Sequence, residues 1–118
     1  MVSTVEELQA AVTRFRDERD WRQFHNLKDL SMALSIEASE LSELLLWKGH
    51  AQIEADLNRL EFRDRIAEEL ADLQIYLMYI SDATGISIAE AVHSKLRLNA
   101  EKYPANKARG STKKYDEL

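Results

Sequence analysis

Between residues 66 and 80 the chain places Ile66, Leu70, Leu73, Leu77 and Ile80 at alternating steps of four and three. That spacing gathers the apolar side chains on one stripe of an α-helix, whereas a strand would scatter them over both faces. Shorter stripes recur at Val5, Leu8, Val12 and Phe15, at Leu30, Leu34 and Leu41 with Leu44 or Leu45, and at Ala89, Val92, Leu96, Asn99 and Tyr103. With 3 Gly and 1 Pro in 118 residues, the turns of a β-sandwich or barrel have no material. The expected fold is all-α: four main helices plus a short linker helix, forming an antiparallel bundle that a second subunit completes. A single chain of this size fits one domain, so any cleft wider than a helix pair calls for a partner.

Boundaries follow from capping residues. Ser3 with Glu6 reads as a capping box opening helix one over residues 4–20. The aromatic connector DWRQFHN follows, then helix two over residues 27–48, with Gly49 as its C-terminal stop. Residues 51–59 make the linker helix. The third helix ends at Thr84-Gly85, Ser87 with Glu90 opens the fourth, and Pro104 closes it. The domain is therefore expected over residues 1–104, and residues 105–118 form a basic tail, either solvated or ordered by a ligand or partner.

Where the stripe of helix two should continue at i+3 from Leu34, the residue is Glu37. An ionised carboxylate in a packing position needs a cation, a proton or a polar cleft. Glu40 follows at i+3 on nearly the same side, with Glu43 as a third member, and on helix three Glu69, Asp72 and Tyr76 run in file beside the apolar stripe. Acid pairs at this spacing are also common on solvated faces, an equal alternative for Glu69/Asp72 taken alone. Glu61 and Asp64 repeat the spacing, but Arg59, Arg63 and Arg65 surround them, so that pair reads as an exposed, salt-bridged surface. If helices two and three are antiparallel neighbours, four carboxylates converge and require divalent cations or raised pKa values. With no Cys, the donors are hard oxygens, which select Mg²⁺, or Mn²⁺, over zinc.

Charge narrows the partners. Against 21 acidic residues stand 16 basic ones, a formal net charge of -5. That balance argues against a nucleic-acid or anionic-membrane binder, whose affinity comes largely from neutralising phosphates. A metal-complexed polyphosphate remains open as a ligand. The start MVSTVEELQA lacks the basic and then apolar layout of a secretory signal, and no run reaches the roughly 18 apolar residues of a membrane helix. The expected location is cytoplasmic.

The ordered set SIEASEL (residues 35–41), EELADL (residues 68–73), Ile75-Tyr76-Leu77, ERDW (residues 18–21), Phe24-His25, Trp47-Lys48, SKLRLN (residues 94–99), Tyr103-Pro104 and the tail ARGSTKKYDEL resembles the MazG-like all-α nucleoside triphosphate pyrophosphohydrolases, most closely their dCTP pyrophosphatase branch. The resemblance implies hydrolysis of a nucleoside triphosphate between its α and β phosphates, with Mg²⁺ held by Glu37, Glu40, Glu69 and Asp72. It implies a homodimer or homotetramer, a base pocket with Trp21 and Trp47, and nucleotide contacts from Tyr76, Lys95 and Asn99. One position departs: Val12 stands where the eukaryotic dCTP branch has a His in helix one. As a mechanism, Glu37 or Glu40 acts as the base that activates water, and Arg109, Lys113 and Lys114 of the tail fold over the triphosphate. His25 either hydrogen-bonds a base or caps helix two.

Two rival classes stand beside this one. Glu90 and His93, an i,i+3 pair, fit half of a di-iron carboxylate bundle. A non-enzymatic dimerisation or regulatory module would instead use the acidic stripes to bind a basic partner.

Overall fold

The computed structural model describes residues 3–118; Met1 and Val2 lie outside the described residues. Among the described residues six α-helices follow one another: α1 Val5–Glu18, α2 Leu27–Leu45, α3 His50–Asp56, α4 Leu60–Thr84, α5 Ile88–Lys102 and α6 Ala105–Ala108. They fall into two compact units, one reaching Gly85 and one from Ile86 onward.

In the first unit α2 and α1 both pack on α4. His25, just before α2, meets the Tyr79 ring at a tilt with centroids 4.5 Å apart, Glu37 and Glu40 meet Glu69, and Leu44 shares a cleft with Arg65. Rising numbers on α2 thus meet falling numbers on α4, so the two helices are antiparallel. Among the described residues the buried apolar side chains are Leu30, Phe62, Met78 and Tyr79. Polar anchors reinforce this thin core. Arg16, 3% exposed, donates to Asp17 at 2.9 Å and Asp82 at 2.6 Å, and Gln9 Nε2 donates to the Met78 carbonyl at 2.8 Å, tying α1 to α4. Asp56 accepts from Lys48 and Gln52, both at 2.8 Å, which ties the end of α3 to the turn that follows α2.

Three expectations shift. The cap of α1 is Thr4 rather than Ser3: its hydroxyl accepts from the Glu7 N–H at 3.1 Å, the same box displaced by one residue. Helix α2 stops at Leu45, not Gly49. Leu46 turns extended, Trp47 takes a left-handed φ of 66°, and Gly49 becomes the N-cap of α3. Glycine suits either role, and here the left-handed turn that ends the helix falls on a tryptophan.

The third shift concerns α4. Leu70 and Leu77 are 54% and 41% exposed, while Glu69, Asp72 and Tyr76 are half-buried. The face that meets α2 and α1 carries Phe62, Ile66, Glu69, Leu73, Tyr76 and Tyr79, so the acids sit within the packing face rather than beside it. The Leu70/Leu77 edge is left uncovered in the single chain.

In the second unit Ser87 caps α5 by accepting from the Glu90 N–H at 3.2 Å, as its capping box requires. The tail has structure of its own: Gly110, at φ 72°, reverses the chain and Tyr115 returns to meet Tyr103 edge-on at 6.2 Å. The Lys102 ammonium stands 5.1 Å from the Tyr115 ring, a cation–π contact that helps hold the return.

Candidate functional site

Asn26 fixes the start of α2. Its side chain accepts from the Asp29 N–H at 2.9 Å and donates to the Asp29 carboxylate at 2.8 Å. From that start the packing stripe runs through buried Leu30 and half-buried Leu34, Glu37, Leu41, Leu44 and Leu45. Glu37 therefore faces α4, where Glu69 and Asp72 face back.

One carboxylate oxygen from each of Glu37, Glu40 and Glu69 lies within 4.8 Å of the other two. Oε2 of Glu37 and Oε2 of Glu69 are buried without a hydrogen-bond partner. An orphaned carboxylate oxygen forfeits its hydration with nothing in return, so the site favours a cation or a proton. The acidities carry the same message. Burial first, then a hydrogen bond with Glu40 and the charges of Glu40, Asp72 and Glu69, pushes the Glu37 carboxyl up to about 7. Burial, then the charges of Glu40 and Asp72, also raises Glu69.

All donors in this group are carboxylate oxygens, and two buried ones remain unsatisfied, which fits a hard divalent cation of the Mg²⁺ or Mn²⁺ type. Glu37, Glu40 and Glu69 would hold it. Asp72, half-buried one turn beyond Glu69, is close enough for its charge to act on both Glu37 and Glu69. A cleft of about 370 Å³ opens beside the group, lined by Glu40, Glu43, Leu44, Arg65 and Glu69.

The aromatic candidates lie around the same unit. Tyr76 continues the file of Glu69 and Asp72 and meets Tyr79 edge-on at 6.0 Å. Trp21 packs edge-on against Phe15 at 5.8 Å and is 43% exposed, which leaves much of its ring free. Trp47 is 93% exposed, so it anchors no core in this chain. A left-handed tryptophan costs roughly 1–2 kcal/mol of backbone strain, and a strained residue that contributes nothing to packing marks a functional candidate. His25 does not cap α2, because Asn26 does. Its ring meets Tyr79 at a tilt with Nδ1 buried and unpartnered, and burial, then the Arg16 charge, lowers its pKa.

In the second unit Lys95 and Asn99 lie one turn apart on α5, Lys95 exposed and Asn99 half-buried. Arg109 ends α6, and Lys113 and Lys114 are exposed on the returning loop. Glu90 and His93, also exposed on α5, join no group of three metal-capable side chains among the described residues, so the di-iron reading gains nothing. The expected ion pairs around Glu61 and Asp64 are likewise not formed. Arg59 turns to Asp56 at 3.8 Å and Arg63 to the Leu57 carbonyl at 3.4 Å. Arg65 is the residue that this surface reading concealed: it lines the acidic cleft, and its signal was its place four residues before Glu69.

The MazG-like family model matches residues 32–118. A dCTP pyrophosphatase 1 from Rattus norvegicus is 36% identical over 115 residues, covering 98% of this chain and 68% of the relative. The human protein of the same name is 37% identical over the same spans. A crystal structure of a pyrophosphatase from Archaeoglobus fulgidus superposes with a TM-score of 0.79 at 35% identity, over 88% of this chain and 95% of that one.

Proposed function

The chain belongs to the MazG-like family, and from that premise we propose that it is a Mg²⁺-dependent nucleoside triphosphate pyrophosphohydrolase. Its substrate is dCTP or a related or modified pyrimidine deoxynucleoside triphosphate, and its products are the monophosphate and pyrophosphate. The observation that carries the proposal is the meeting of Glu37, Glu40 and Glu69 within 4.8 Å, with two buried oxygens lacking partners. The relatives named as dCTP pyrophosphatases support the substrate class.

Glu37, Glu40, Glu69 and Asp72 hold the divalent cation, Mg²⁺ or in its place Mn²⁺. When bound, that ion screens the carboxylates and the phosphate oxygens from one another and polarises the phosphorus under attack. Glu37 or Glu40 orients a water molecule and accepts its proton. The water oxygen bonds to the α phosphorus while the bond from that phosphorus to the α–β bridging oxygen breaks, and pyrophosphate leaves. Trp21 and Trp47 offer free ring surface for stacking a base, and His25 Nδ1 is a spare hydrogen-bonding atom. Tyr76, Lys95, Asn99, Arg109, Lys113 and Lys114 contact the nucleotide, with the basic groups meeting its phosphates.

The working form is a homodimer or homotetramer. Exposed Leu70, Leu77, Ile36 and Met32, set against so few buried apolar side chains, support an assembly that covers these faces. No described helix is long and apolar enough to cross a membrane, and we place the enzyme in the cytoplasm, clearing unwanted nucleotides from the pool.

Each deoxynucleoside and ribonucleoside triphosphate, incubated with the protein and Mg²⁺, tests this reading. Pyrophosphate is expected from a pyrimidine deoxynucleotide, with Glu69→Gln inactive but fully helical. Release of orthophosphate alone, or no turnover of any nucleotide, overturns it.

A further inference from the structure

The file of Glu69, Asp72 and Tyr76 on α4 begins one turn earlier than the acids, with an arginine that is exposed. Arg65, Glu69, Asp72 and Tyr76 follow at steps of four, three and four, so Arg65 stands on the same side of the helix. It lines the cleft with Glu40, Glu43 and Glu69. Among the described residues, Arg65 forms neither a hydrogen bond nor an ion pair within 4.0 Å, although Glu61 and Glu69 flank it at i−4 and i+4. Its neighbours are occupied: Arg59 with Asp56 and Arg63 with the Leu57 carbonyl. It also lies in the second turn of α4, near the positive end of the helix dipole, where a cation adds no stability. A guanidinium kept unpaired among carboxylates, at the mouth of a cleft of about 370 Å³, is held ready for another anion.

We propose that Arg65 binds the β and γ phosphates of the substrate and the pyrophosphate they become, a reading that rests on the function proposed above. The carboxylates that hold the cation repel the polyphosphate wherever the cation does not reach. A planar guanidinium in the same cleft meets that end of the substrate with paired N–H donors. Because it grips phosphates that do not change bonding at the attacked phosphorus, Arg65 contributes to binding more than to the chemical step.

Calorimetric titration with inorganic pyrophosphate in Mg²⁺, together with KM and kcat for the preferred triphosphate, tests this on wild type, Arg65→Ala and Arg65→Lys. The alanine variant is expected to weaken pyrophosphate binding and raise KM by roughly tenfold, the scale of a lost charge-assisted bond at an open site. Its kcat stays within about twofold of wild type. Lysine restores part of the affinity, since it keeps the charge without the fork. Unchanged pyrophosphate affinity and KM in Arg65→Ala overturn the proposal. So does a loss matched by an equal loss of Mg²⁺ binding, because Arg65 would then be supporting the carboxylates. If the alanine variant does not fold, Arg65→Gln decides by the same two readouts. If wild type turns over no triphosphate, the hydrolase reading fails while the pyrophosphate titration still judges Arg65. If wild type is active and Arg65→Ala matches it, only the Arg65 assignment falls.

Discussion

Glu37→Gln is expected to stabilise the metal-free protein while removing its response to Mg²⁺. In the folded chain the Glu37 carboxyl is held near 7 against an ordinary value of 4.5, first by burial and then by its acidic neighbours. The unfolded chain therefore releases this proton at lower pH than the folded one. Below about pH 4.5 both states hold the proton and Glu37 leaves stability unaffected; between about 4.5 and 7 the unfolded state is progressively favoured, and above that the full penalty applies. At about 1.4 kcal/mol per pH unit the ceiling is on the order of 3 kcal/mol, and solvent screening at this half-buried site reduces it to roughly 1–3 kcal/mol. Glutamine keeps the shape and carries no charge, so the penalty disappears. Urea unfolding at fixed protein concentration, in EDTA, at pH 5 and pH 8, reads the effect. Wild type should lose stability between the two pH values, and Glu37→Gln should lose less and exceed wild type at pH 8. With Mg²⁺ in place of EDTA, wild type should gain by mass action and the variant should not. A variant less stable than wild type at pH 8 in EDTA would refute the claim that like charge is concentrated here.

Other outcomes follow from the packing. Leu30→Ala empties a site that is 2% exposed and should cost about 2–5 kcal/mol in urea unfolding at unchanged pH dependence. Trp47→Ala should leave stability within about 0.5 kcal/mol, since the ring is 93% exposed, while raising KM for the nucleotide. Leu70→Glu with Leu77→Glu should leave the helical circular dichroism intact but reduce the mass found by light scattering, because these side chains are free in the single chain.

Much of this was written in the period of the sequence. The stripes placed the long helices, and Glu37 was conspicuous because it interrupted one: a carboxylate where Leu34 and Leu41 demand an apolar group. What period does not reveal is which side of a helix its neighbours choose. On α4 the five apolar positions suggested the packing face, yet α2 and α1 lie a fraction of a turn away, over Glu69, Asp72 and Tyr76, and leave Leu70 and Leu77 outside. Gly49 misled because glycine both stops and starts helices, and nothing in Leu46-Trp47 announces a left-handed tryptophan. Arg65 was hidden by its company, since an arginine beside Glu61 and Asp64 reads as part of a salt-bridged surface until the structure shows those pairs unmade.

Carboxylates from α2 and α4 are proposed to share one divalent cation. Mn²⁺ titration followed by electron paramagnetic resonance tests this most directly, because the free ion's signal falls as it binds. Wild type should deplete the free signal, Mg²⁺ should restore it by competition, and Glu69→Gln, equally folded, should bind far more weakly. Equal Mn²⁺ binding by wild type and Glu69→Gln, or none by either, would contradict the account.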